Sequence, residues 1–384
     1  MHVPLLVIGA GPYGLATAAC ARRAGIEQLV VGEPMAFWRK NMPAGMLLRS
    51  GPDWHLDAAG VHTFMAYLDE REIDPSEVDP IPVALFLNYV DWFEERAEID
   101  VLPDLVRDLS KPDGRFEATL ESGRRVSADA VVAAPGISHF AVIPEWIERS
   151  LSPERWTHTC HLVHFDQLRG KRVLIVGGRQ SAFEWAALLA DGDAEEIHLV
   201  YRHDTPYFTV SDWSFTDELM ELTATVPGWF RHLPAEEREA VARRFWAEGR
   251  LKLEPWLTPR LDKPSVHRWP HASVAVCKEV NGGEIEVELS DGTRLEVDHV
   301  VLATGYKPNM REVPYLAGVV DEMDLADGFP VLDEHFQSSV PGLFVTGFPA
   351  TRDFGPFFGF VRGCPVAATL TTTGLTEALG RTLA

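Results

Sequence analysis

With 384 residues, 46% of them hydrophobic and 24% charged, the chain is long enough for two or three domains with cores of ordinary soluble composition. Its 57 acidic against 35 basic residues leave a formal charge of −22, which speaks against nucleic acid as a partner, because phosphate binding needs a surplus of Lys and Arg. The four cysteines, Cys20, Cys160, Cys277 and Cys364, form no C-x-x-C, so neither a redox dithiol nor a zinc site is expected, and their use fits a reducing cytoplasm.

Residues 4–8 read as a buried strand, too short for a signal core. No stretch reaches the roughly 20 apolar residues of a membrane span, so a soluble, cytoplasmic protein is expected. Gly9-Ala10-Gly11-Pro12-Tyr13-Gly14 follows, then a helix to about Arg23. Gly9 supplies a tight turn, Gly11 lets the backbone approach a pyrophosphate, and Gly14 lets helix and strand pack closely. The helix N-terminus then faces the phosphates. A second strand at 28–31 ends at Gly32-Glu33, where the Glu33 carboxylate is placed to accept from ribose hydroxyls. A lone glycine turn packing strand on helix would not require that acid, so a dinucleotide site is the better reading.

The chain then repeats its pattern. Residues 118–136 read as strand, Ser-Gly turn, strand, apolar strand and Gly136; residues 287–305 follow the same order with an Asp-Gly hairpin. Each apolar run is preceded by an aspartate, Asp129 or Asp298. Between them lies a second loop, Gly177-Gly178-Arg179-Gln180-Ser181, with a strand at 173–176 before it and a helix at 181–189 after it. Arg179 stands where a second glycine is usual, and its guanidinium offers phosphate donors in place of close backbone approach. The following strand ends at Arg202, which suits a 2′-phosphate and hence NADPH; an acid there would suit NAD. A solvent-exposed arginine at a strand end is the competing reading.

Two further stretches stand out. In "HTCHLVH", His158, His161 and His164 with Cys160 have a spacing compatible with metal ligation, but no carboxylate partner is evident. No metal is therefore expected; a domain hinge or solvated histidines fit the connector better. Residues 206–262 are rich in Trp and Phe and carry a helix signal from Ala235, acidic early and basic late. They read as the small core of a helical insertion, or as a wall of a substrate pocket.

The stretches "VIGAGPYGLA", "FWRKNMPAGMLLRS", "GKRVLIVGGRQSAFE", "VVLATGYKPN" and "VPGLFVTGFPA" with "GPFFGFVRG" together resemble the class B flavin-dependent monooxygenases, above all the N-hydroxylating and flavin-containing members, in their order and over nearly the whole chain. The fold implied is α/β, with two Rossmann-like dinucleotide-binding domains in a glutathione-reductase-like arrangement and a helical insertion in the second. The implied bounds are an FAD-binding domain at 1–150, an NADPH-binding domain at 151–295 with the insertion at 206–262, and an FAD-domain completion at 296–384. FAD contacts are then expected from Gly9, Gly11, Pro12, Tyr13, Gly14, Glu33, Trp38, Met46, Leu48, Arg49, Ser50, Gly136, Gly347 and Phe360. NADPH contacts are expected from Gly177, Gly178, Arg179, Gln180, Ser181 and Arg202, and Thr304, Gly305 and Tyr306 match the family's ATG-type strand end.

Asp57 and His55 are the ionisable candidates for catalysis near the flavin edge; Asp57 alternatively caps a helix beginning near Val61. The resemblance implies NADPH-driven insertion of one O2-derived oxygen into a small organic substrate through a C4a-(hydro)peroxyflavin, with N- or S-oxygenation or hydroxylation foremost. A flavin reductase passing electrons to another acceptor, or a nucleotide-binding protein without turnover, remains the alternative. Oligomeric state is open.

Overall fold

The computed structural model describes residues 1–280 and 283–380. The first sheet contains β1 (His2–Ile8), β2 (Gln28–Val31), β3 (Val101–Leu102), β4 (Val106–Ser110), β5 (Phe116–Leu120) and β6 (Arg125–Ala133), in the order β3-β2-β1-β6-β5-β4. The second is wholly parallel and holds β7 (Trp156–His158), β8 (Arg172–Val176), β9 (Glu196–Val200) and β10 (Val266–Trp269), together with β14 below. An antiparallel meander, β11 (Val274–Glu279), β12 (Ile285–Leu289) and β13 (Arg294–Val297), leads into β14 (His299–Leu302), which inserts between β8 and β7. A short hairpin, β15 (Leu325–Ala326) with β16 (Phe329–Pro330), precedes β17 (Leu343–Val345), which returns to pair in parallel with β6.

The central strands β1 and β8 are almost continuously buried, as parallel strands covered on both faces must be. Each runs through a glycine turn into a 12-residue helix, Pro12–Arg23 or Gln180–Asp191. The predicted strands and helices of both units are therefore present. The two copies differ in one respect. Residues read as two strands in the first copy form the single strand β6, with Asp129 inside it and exposed to His2 and Arg115. In the second copy the chain breaks between β13 and β14 at Asp298, whose carboxylate accepts from the Arg172 backbone N–H at 2.8 Å and from its guanidinium.

The expected domain boundary at residue 295 needs correction. β14, at 299–302, pairs with β8 and β7, so the second sheet ends after Leu302 and only then does the chain return to the first. The helix Cys364–Ala378 lies along the helix Pro12–Arg23 and completes the first domain.

The insertion also differs from the expectation of a private core. Its helices include Thr216–Thr225, Trp229–His232 and Ala235–Phe245, the last continued by a π-turn at Trp246–Arg250, and Thr258–Leu261. Phe245 packs on Phe357 and Phe360, each at 5.5 Å, and Trp213 on Trp54 at 5.8 Å and Phe360 at 6.0 Å. These rings join the first domain's core, so the insertion of the second domain is sealed onto the first.

Candidate functional site

The first glycine loop sits where β1 hands over to its helix. Gly9 has φ +108°, and a Cβ there would lie 2.3 Å from the Ala134 carbonyl oxygen. At Gly14 a Cβ would lie 1.8 Å from the Gly9 carbonyl oxygen, so helix and loop touch through backbone alone. A Cβ on Gly11 would meet nothing within 4 Å. Gly11 is also the N-cap, with Pro12 at the first helical position and no side chain capping the first-turn N–H groups. The loop is thus built around an open cradle lined with free donors, which fits a diphosphate. Around it, Tyr13 donates to the Phe360 carbonyl at 2.7 Å and lies against Gly347, and the buried Thr346 hydroxyl has no partner. Glu33 lies two residues past the end of the second strand, where Lys40 holds it.

The second loop repeats this geometry with one substitution. Gly177 has φ +144°, and its Cβ would lie 2.4 Å from the Ala303 carbonyl oxygen, as Gly9 relates to Ala134. Gly178 is required because a Cβ would meet the Tyr201 Cβ at 2.4 Å. Arg179 occupies the N-cap position of Gly11 with φ −112°, an extended conformation open to any residue, so its backbone is unstrained. Its guanidinium lies over the Trp246 ring at 4.3 Å, and its buried Nη1 has no hydrogen-bond partner. Gln180 accepts from the Glu254 N–H at 3.4 Å, while Ser181 is exposed. Arg202, just past β9, is exposed and makes no ion pair among the described residues.

Glu184, one turn into this second helix, was not anticipated. It is 2% exposed, and burial pushes its carboxyl up to about 7 against the help of Gln180 and the Leu47 backbone. The folded chain therefore binds this proton more tightly than the unfolded chain. The stability so gained is complete below about pH 4.5 and is lost as pH rises through about 7. Glu184→Gln should remove that loss and stabilise the protein at pH 8 by up to about 3 kcal/mol. Melting temperatures at pH 5 and pH 8 check this; an equal change at both values would show that the carboxyl is not the cause.

The stretch 42–57 links the two units. Arg49 was expected at the flavin, but its Nε donates to Glu254 at 2.8 Å and its Nη2 to Ser211, Gly249 and Lys252 oxygens between 2.7 and 3.0 Å. It ties the first domain to the insertion and is committed there. Leu48, Arg49 and Ser50 line a cavity of about 280 Å³ with Trp54, Trp213, Trp256 and Glu254. Met46 packs against the cores of both domains, and Trp38 against Phe86 at 4.9 Å.

Asp57 does not have the surroundings of a catalytic acid. It is 0% exposed, paired with Arg23, and accepts from the N–H groups of Ala59, Val61 and His62. Arg23 ends the first helix, at the opposite end from Gly11 and roughly 18 Å along the axis. Nor does Asp57 cap the next helix, since Thr63 does so for Phe64–Glu70. His55 is half-buried with an unpartnered Nδ1, and burial lowers its pKa, partly offset by Asp57.

At the connector, the three histidines separate. His161 and His164 are exposed, but His158 is buried, with Cys160 Sγ at 3.1 Å and the Tyr306 ring edge-on at 5.3 Å. Burial, reinforced by His161, lowers the His158 pKa to about 4, so it is neutral at physiological pH. Burial likewise pushes the Cys160 thiol up to about 11. Among the described residues no cluster of His, Cys, Asp and Glu suits a metal ion. Thr304 donates to the Val142 carbonyl at 2.5 Å and Gly305 accepts from the Val142 N–H at 2.9 Å, joining the end of β14 to the chain beyond Gly136. Gly136 and Gly305 have φ +70° and +81°.

A family model described as pyridine nucleotide-disulphide oxidoreductase matches residues 6–219, and a second of the same description matches 250–351. The chain belongs to this family. Relatives of this oxidoreductase include the probable indole-3-pyruvate monooxygenase YUCCA9 of Arabidopsis thaliana, 25% identical over 79% of this chain and 75% of that protein. A ferredoxin–NADP reductase of Thermus thermophilus is 27% identical over 90% of this chain and 84% of that protein. Among solved structures, the ornithine N-hydroxylase of Kutzneria sp. 744 superposes with a TM-score of 0.81 at 16% identity, covering 98% and 99% of the two chains. The family resemblance carried by the sequence motifs is matched in these comparisons. Despite the family's name, all four cysteines are free and scattered, so no dithiol faces either loop. No helix among the described residues is long and apolar enough to cross a membrane.

Proposed function

We propose that the protein is an FAD- and NADPH-dependent monooxygenase acting on a small organic substrate. The observation that carries this is the open cradle at Gly11, repeated in outline at the second loop, in a chain that has no dithiol to accept electrons. Gly9, Gly11 and Gly14 with Glu33 would hold FAD, closed over by Gly347 and Phe360; the loop at 177–181 with Arg202 would hold NADPH. Bound together, these cofactors supply hydride transfer and reduction of O2. The protein's part is orientation and dryness. Trp54, Trp213, Phe245 and Phe360 pack into an aromatic cluster between the insertion and the first domain, and such an apolar wall would help keep the site dry, a condition for delivering oxygen to substrate in place of releasing it as peroxide.

The relatives named as monooxygenases support this reading, while another relative is named as a ferredoxin–NADP reductase. One experiment separates them. Purified protein should carry bound flavin. Under 18O2, a screen of amines, sulfides and 2-oxo acids should give a product gaining one labelled oxygen per NADPH consumed. Bound flavin with NADPH oxidation passed to an added electron acceptor, and no labelled product from any class, would establish the reductase.

A further inference from the structure

The second loop faces a pair of arginines with nothing to neutralise them. Arg179 lies 4.3 Å from the Trp246 ring centre and Arg250 lies 5.1 Å from it, so one indole carries both guanidiniums. Arg250 also lies 5.4 Å from the Phe360 ring, beside the first loop. Neither side chain has an ion pair or hydrogen bond among the described residues. Glu254 is already taken by Arg49 at 2.8 Å, and Glu248, on the same turn as Arg250, by Lys252 at 3.3 Å. Burial and repulsion from Arg49 and Arg179 lower the Arg250 pKa to about 10. Like charges held together in a partly dry site, in a chain of net charge −22, need a separate reason to be there. A cation–π contact of this kind offsets only part of the desolvation.

We propose that Arg250, from the insertion, and Arg179, from the loop, form a two-pronged seat for the diphosphate of the nicotinamide dinucleotide, with Trp246 as the platform on which they wait. This rests on the NADPH reading above and adds the insertion to that site. Geometry favours a diphosphate because Arg179 is itself the N-cap of the 12-residue helix Gln180–Asp191, which has no side-chain cap. First-turn N–H groups and two guanidiniums then converge on one anion, and guanidinium geometry suits phosphate oxygens in pairs.

The test is equilibrium binding of NADP+ and of NAD+ to the flavin-loaded protein, for wild type and for Arg250→Leu, Arg250→Lys, Arg179→Gly and Arg202→Leu. Because both dinucleotides carry the diphosphate, Arg250→Leu should weaken both about tenfold to a hundredfold and by equal factors. Arg250→Lys should recover part of the loss, and Arg202→Leu should weaken NADP+ alone. Addition of NADP+ should also slow amide hydrogen exchange at 246–250 in the wild type, a readout that does not depend on any variant folding. Unchanged dinucleotide binding in Arg250→Leu, with a raised KM for substrate, would assign the seat to a substrate anion and overturn the proposal. Tighter binding by Arg179→Gly would also overturn it, by showing that the side chain obstructs. A wild type that binds neither dinucleotide would instead remove the NADPH reading itself.

Discussion

Gly11→Ala should give a protein that folds normally and purifies without flavin, whereas Gly14→Ala should be strongly destabilised. The two residues share a motif, yet the space around them differs. A methyl group on Gly11 meets no protein atom within 4 Å; it protrudes into the cradle. Stability should then stay within about 0.5 kcal/mol of wild type, as for substitutions that touch nothing. The diphosphate, however, loses its close backbone approach and the first-turn N–H groups move out of reach. On Gly14 the same methyl would sit 1.8 Å from the Gly9 carbonyl oxygen, and no rotamer change relieves a clash between backbones. The cost is that of severe overpacking, about 3 kcal/mol or more. Melting temperature together with the flavin-to-protein absorbance ratio checks both. Full flavin occupancy in Gly11→Ala would mean that the cradle is not the diphosphate site.

Asp57→Asn should destabilise the protein by about 3–5 kcal/mol while leaving turnover per flavin-loaded molecule within about twofold of wild type. Burial alone would raise the Asp57 pKa. The Arg23 guanidinium and the backbone N–H groups of His62 and Ala59 outweigh it and hold the carboxyl far below its usual value. A depressed folded pKa places the stabilising contribution above the unfolded value of about 4 and removes it as pH falls below that. Wild type should therefore lose stability on acidification through that range, and Asp57→Asn should lose less. Denaturant midpoints at pH 7 and at about pH 2 measure the difference. A kcat collapse in folded, flavin-loaded Asp57→Asn would restore Asp57 to the chemistry.

The glycine spacings made both nucleotide-binding units legible in the sequence, because each glycine answers a local steric demand: Gly9 and Gly177 to a positive φ, Gly14 and Gly178 to contact with a neighbour. The repeated meander was legible for the same reason, since strand period and turn residues are local. What stayed hidden depends on contacts distant in sequence. Nothing around Arg49 announces Glu254 and the Gly249 carbonyl 205 and 200 residues away. Asp57 looked available for catalysis because its partner, Arg23, lies 34 residues earlier on another element. Glu184 and Arg250 carry no motif at all; only burial without a counter-charge distinguishes them. The domain limit at 295 was misplaced because β14 reads as one apolar strand whichever sheet receives it.

The return of β17 to β6, and of the helix Cys364–Ala378 to the helix Pro12–Arg23, has a consequence for how the chain is made. The first sheet is begun within the first 133 residues but gains its last strand only at Leu343–Val345. During synthesis from the N-terminus, the second sheet has all its strands by Leu302 and is free to form while the first still lacks a strand and a covering helix. The face of that first helix against which the helix Cys364–Ala378 packs then stays uncovered until residues 364–378 have been made. The unit read as holding the flavin is thus the first to be started and the last to be closed, and the cofactor has an open, half-built domain to enter.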